Sequence, residues 1–243
     1  MKIAIIYSIL AGFSLVLGVI IGTVFKIRQR VIAAIMAFGS GVLICALTFG
    51  LMEEAFRHGG FDAIVIGFLM GGIVFIGGDY FIHRNGGRNH KKNKHFKFLR
   101  NTNGKAIVLG ATLDGIPESI ALGLSLLEKN GIGLLMLAAI FLSNLPESIS
   151  SVDGLKKEGF STKKIFFMWS IVSVCSIVAA ILSFIFLKNI NLNVRGIIES
   201  FASGAILAML ADSMMPEAYD EGGYLIGFLT ILGFLTAFIL SKI

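Results

Sequence analysis

Asp114 and Glu118 stand four residues apart, so a helix would place both carboxyls on one face. Asn144 and Glu147 stand three apart, with Ser143 four before Glu147 and Ser151 one turn beyond it. Each set contains a proline directly before its glutamate, Pro117-Glu118 and Pro146-Glu147; a third such pair is Pro216-Glu217. Proline removes a backbone N–H and disrupts the bond to the carbonyl four residues back. The carbonyls of Leu113 and Leu142 would then need a neighbouring helix, water or an ion. The donors are all oxygen: carboxylates, an amide and hydroxyls. Oxygen-rich sites favour hard divalent ions, and zinc also accepts carboxylates.

The segments that carry these residues are apolar. The chain has 243 residues, 56% apolar and only 15% charged, with a mean hydropathy of +0.86. A soluble domain carries about 25% charged residues. This excludes an ordinary cytosolic enzyme, a disordered chain and a nucleic-acid-binding domain, and predicts an integral protein of the cell membrane. Apolar runs of spanning length fall at 3–25, 31–56, 62–82, 105–127, 131–155, 164–187, 196–218 and 223–241. They are continuous rather than alternating, so they read as helices. The expected fold is an all-α membrane protein of eight transmembrane helices, a single polytopic domain over 1–243.

In such a protein a buried acid is costly, and several facing one another are worse. No lysine or arginine lies at mid-depth in any run. The acids of spans four and five must therefore carry protons or share a cation. Two kinked helices with protonated acids bonded to Ser and Asn remain the bland alternative.

The remaining charge reads as topology. Most lysines and arginines lie in the odd-numbered loops, which places those loops in the cytoplasm and both termini outside. The first run is long and is followed by Lys26, Arg28 and Arg30, as after a retained span rather than a cleaved leader. The segment 83–104 reads as a basic cytoplasmic loop holding His83, His90 and His95, whose spacing defines no tight metal site. His58 reads as a surface residue rather than a ligand; Glu53, Glu54 and Glu199 lie near the outer face, where they could attract cations, though isolated rim acids are usually just solvated. Asp79 and Asp153 lie near the inner ends, where they would suit an exit. Cys45 and Cys175 form no disulfide framework.

Two internal repeats organise the chain. Residues 38–60 align without gaps to 201–223, with nine of 23 positions identical, among them Ser40/Ser203, Gly41/Gly204, Glu54/Glu217 and Gly59/Gly222. IPES at 116–119 matches LPES at 145–148. By the charge count both pairs run in opposite directions across the membrane. Helices one to three and six to eight would thus form inverted repeats around helices four and five, the plan of secondary transporters with a midplane site.

At these residues the chain resembles the ZIP (Zrt/Irt-like) family of divalent metal transporters. DGIPESIALG at 114–123 is similar to the family's span-four motif, roughly HNxPEGxAxG. SNLPES at 143–148 is similar to its span-five motif, roughly HExPHE or QDxPEG. The resemblance implies a binuclear metal site between spans four and five. Asp114 then stands where the family has histidine, Gly115 where it has asparagine, and Glu118 at the glutamate. Ser143 and Asn144 stand at the first two span-five ligands, and Glu147 at the glutamate. Both signature histidines and an acid in span six are missing, so one functional ion site is expected. Its ligands are Asp114, Glu118, Asn144 and Glu147, with Ser143 secondary.

The resulting reading is a secondary transporter moving zinc, manganese or ferrous iron toward the cytoplasm, with no cofactor and no catalytic residues. Its partners are the ion and the lipid bilayer, and a homodimer is compatible with this plan. A non-transporting or metal-sensing relative is the alternative. An intramembrane aspartyl protease built on Asp79 and Asp220 is a remote one, since its motifs would be in reversed order. ATP-driven transport lacks its GxxxxGK[ST] loop.

Overall fold

The computed structural model describes residues 1–86, 104–128 and 131–242. Almost all of the basic loop, including His90 and His95, lies outside the described residues. The described residues are helical and contain no strand. They form α1 (Lys2–Val24), α2 (Gln29–Ala46), α3 (Glu53–Gly86), α4 (Gly104–Ser125) and α5 (Ile132–Lys157). The chain continues through α6 (Thr162–Leu187), α7 (Leu192–Met209), α8 (Met215–Gly222) and α9 (Leu225–Leu240). The third helix thus runs past the expected start of the loop at 83.

Among the described residues, five helical segments are long and apolar enough to cross a bilayer: Lys2–Val24, Gln29–Ile82, Ile132–Lys157, Thr162–Leu187 and Leu192–Gly222. Phe167, Phe186, Ile66, Leu69 and Phe228 are more than half exposed on their outer faces. So broad an apolar surface belongs against lipid rather than water. The protein is an integral membrane protein.

The expected boundary near residue 56 is not a break. A π-helical turn, Leu47–Met52, joins α2 to α3, so the helix runs on to Gly60. There φ is 66° and ψ is −162°, a region essentially open to glycine alone. A second π turn, Leu210–Met214, joins α7 to α8, and Gly223 then has φ 67° and ψ −147°. Leu47 aligns with Leu210 and Gly60 with Gly223 in the sequence repeat. The Ser40 hydroxyl donates to the Met36 carbonyl, and the aligned Ser203 hydroxyl to the aligned Glu199 carbonyl. Pro216 follows the second π turn, while Glu53 occupies the aligned place after the first. Proline is therefore not the cause of the turn.

Packing follows the same correspondence. α2 lies against α9 and α3 against α7. Backbones meet so closely there that only glycine fits: a Cβ on Gly41 would fall 2.0 Å from the Thr230 carbonyl oxygen, and one on Gly204 2.0 Å from that of Phe68. α1 packs on α5 and α6, and α4 packs on α6. Hydroxyls tie these helices together, Ser173 donating to the Gly12 carbonyl at 2.7 Å and Ser183 to that of Ile120 at 3.1 Å. Such bonds and close backbone approaches replace the hydrophobic drive that lipid cannot supply. Cys45 and Cys175 are free thiols.

Candidate metal site

α4 and α5 both remain helical through their prolines. The Leu142 carbonyl, which Pro146 deprives of its usual donor, turns toward α2. A Cβ on Gly39 would fall 2.8 Å from that oxygen. The close approach of α2 therefore covers the Leu142 carbonyl.

The side chains expected to act together do meet. Glu118 is 2% exposed. Its Oε1 accepts the Ser143 hydroxyl at 2.9 Å, directly linking α4 to α5. Its Oε2 is buried and has no hydrogen-bond partner among the described residues. Ser143 and Asn144 are also buried, while Asp114 and Glu147 are partly buried. Glu147 lies within electrostatic reach of Asp114, Glu118 and Glu217, so its strongest charged neighbours are all acidic. A small cleft between α1, α4, α5 and α6 is lined by Glu118, Asn144, Gly115, Ser8, Ser119 and Ser176. Its polar wall is again made of oxygen donors and an amide. Ser151 instead turns back to the Ser148 carbonyl of its own helix.

Two further acids join this group. Glu217 on α8 accepts the Ser150 hydroxyl at 2.6 Å, which brings it to α5. It also acts on Asp114, as does Asp79 from α3. The Pro-Glu pair at 216–217 was a sequence signal for Glu217, but nothing in the spacing said that α8 would reach α5. Asp153 stands apart and accepts from Gln29 Nε2 at 3.3 Å. Asp212 is exposed within its π turn, and Asp220 is exposed near the end of α8. Asp79 is thus one of the acids that act on Asp114.

The acids read as a solvated rim are not one. Glu199 is 1% exposed and Glu54 6%. His58 is not a simple surface residue either: its side chain is 14% exposed, and its Nδ1 lies 2.8 Å from Glu199 Oε2. Arg195 Nε donates to Glu199 Oε1 at 3.0 Å, and Arg195 Nη2 contacts Glu128. Arg57 bridges Glu53 at 2.7 Å and Glu54 at 3.2 Å. Glu53 and Arg57 are well exposed. The rest form a packed ionic network where the start of α3, the residues after α4 and the start of α7 meet.

Comparison with known proteins gives the assignment. No curated protein matches the chain. A family model described as ZIP Zinc transporter matches residues 83–241, more than half of the chain and all of α4 and α5. That family comprises divalent metal transporters rather than enzymes. With its apolar helices and the acids that α4 and α5 bring together, the chain belongs to the ZIP zinc transporter family.

Proposed function

We propose that the protein moves divalent metal cations, zinc, manganese or ferrous iron, across the cell membrane toward the cytoplasm. The ion sheds water into a site formed by Asp114, Glu118, Asn144 and Glu147, with Ser143 holding Glu118. One observation carries this reading: the buried Oε2 of Glu118 lacks a partner among the described residues, beside a second glutamate whose charged neighbours are acids. A shared cation relieves both the missing hydrogen bond and the mutual repulsion. An all-oxygen set suits manganese or iron at least as well as zinc.

In this reading the chain crosses the membrane eight times with both termini outside. Gly60 divides the 29–82 segment into two crossings, and α4 and α9 complete the count. The repeated π turns, positive-φ glycines and helix contacts support two inverted halves that rock about α4 and α5. Asp79 and Glu217 lie on the route from the site toward the cytoplasm.

Uptake into proteoliposomes tests the proposal, with a metal-sensitive dye trapped inside. Glu118→Ala and Glu147→Ala should each abolish flux in protein that remains folded. Uptake that survives both replacements would defeat the site assignment. A wild-type protein that binds ions without flux would instead be a non-transporting relative.

A further inference from the structure

The ionic network contains a ligand set of a different kind. One ligand atom each from Glu54, His58 and Glu128 lies within 4.8 Å of the others. Glu118 lies seven residues before the end of α4 at Ser125, about 10 Å down the axis at a helical rise of about 1.5 Å per residue, and Glu128 lies three residues beyond that end. The two groups are therefore separate. We propose that Glu54, His58 and Glu128 form a second divalent-cation site, with Glu199 as the residue that orients His58.

Imidazole geometry supports this. In the tautomer that donates Nδ1–H to the Glu199 carboxylate 2.8 Å away, His58 keeps the lone pair of Nε2 for a metal. A carboxylate behind a histidine in this way fixes the tautomer and strengthens the ligand. Glu199 is itself held by Arg195 Nε, so the orienting carboxylate is anchored. Arg57 and Arg195 contact Oε1 of Glu54 and Glu128 respectively. A carboxylate offers about four lone-pair positions, so an arginine and a metal can share one.

Charge points the same way. Glu53, Glu54, Glu128 and Glu199 face the two guanidiniums of Arg57 and Arg195. With His58 neutral, the described residues of the network hold an excess of two negative charges, which one divalent ion cancels. A nitrogen and two oxygens leave room for water in a tetrahedral shell, which fits zinc or cobalt better than magnesium, calcium or manganese. This mouth would thus prefer borderline ions, whereas the all-oxygen site beyond it would not.

The test uses the full chain in detergent with His83→Gln, His90→Gln, His95→Gln, Glu118→Gln and Glu147→Gln, which silences the loop and the membrane site. Zinc binding is read by calorimetry and cobalt binding by visible absorption. We expect one ion to remain, with a cobalt spectrum of low coordination number. Adding His58→Ala should weaken it at least ~100-fold, and adding Glu199→Gln about 10–100-fold, as for the loss of an orienting partner. If His58→Ala aggregates on size exclusion, Glu128→Gln decides, with the same loss expected. No ion bound in the five-fold background, or unchanged affinity after His58→Ala or Glu128→Gln, overturns the proposal. Failure of the Glu118–Glu147 site in the uptake assay would leave this result standing, because that site is already absent here.

Discussion

The Ser143 hydroxyl on α5 donates to Glu118 Oε1 on α4 at 2.9 Å, and both residues are buried. This one bond satisfies half of a carboxyl group whose other oxygen has no partner among the described residues. It adds a polar tie to two helices that also share the apolar core of Ala121, Leu122, Met136 and Ile140.

Removing that donor should be felt most without metal. Ser143→Ala leaves both Glu118 oxygens unpartnered, at a cost of about 1–3 kcal/mol. The thermal midpoint of the apo protein should fall. Saturating zinc or manganese should restore part of the loss, because a ligand bound only by the folded state stabilises it. Thermal scans with and without metal check this; an equal loss in both conditions would mean that the bond is structural and unconnected to an ion.

Glu217 should act on the ion through charge. Glu217→Gln keeps a carbonyl oxygen for the Ser150 hydroxyl and removes the negative charge. At ~8 Å and an effective dielectric of ~20, a lost charge weakens attraction for a cation by a few kcal/mol. Maximal uptake should therefore fall about tenfold or more. Ser150→Ala keeps the charge and should cost less flux. Initial rates in proteoliposomes for both variants separate charge from position.

The network around Arg195 gives a stability prediction. Glu199 is 1% exposed and has Arg195 and His58 as its partners. Arg195→Ala also strips Glu128 of its guanidinium. Breaking a buried pair from one side costs about 3–5 kcal/mol. The variant should unfold at clearly lower temperature in detergent, and Arg57→Ala, whose side chain is 59% exposed, should cost under about 1 kcal/mol.

These cases show what the sequence could convey. The pairing of Asp114 with Glu118, and of Asn144 with Glu147, follows from helical spacing and needs no tertiary information. The oxygen chemistry was legible for the same reason. Glu217 and the Arg195 network were not, because Ser150–Glu217 and Arg195–Glu128 each join residues 67 positions apart, and His58–Glu199 joins residues 141 apart. Glu199 and Glu54 looked like rim acids because hydropathy locates a helix end but does not say which side faces a neighbour. The repeat was visible as identities, yet its physical content, two π turns and two positive-φ glycines, lies in the backbone.

Gly60 and Gly223 offer a direct measure of that backbone content. Both adopt a conformation that L side chains rarely take, and a Cβ on either would meet nothing within 4 Å. Substitution by alanine therefore adds strain without a clash. Each of Gly60→Ala and Gly223→Ala should cost about 1–3 kcal/mol, and the two costs should agree because the φ values are 66° and 67°. Gly41→Ala and Gly204→Ala differ in kind, since each new methyl would collide with a carbonyl oxygen at 2.0 Å and force α2 from α9, or α3 from α7. They should depress stability through packing and lose the close helix contact, which a cysteine crosslinking rate across each pair would register. Thermal midpoints for the four variants test both arms: a large mismatch within either aligned pair would mean that the two segments share residues without sharing mechanics.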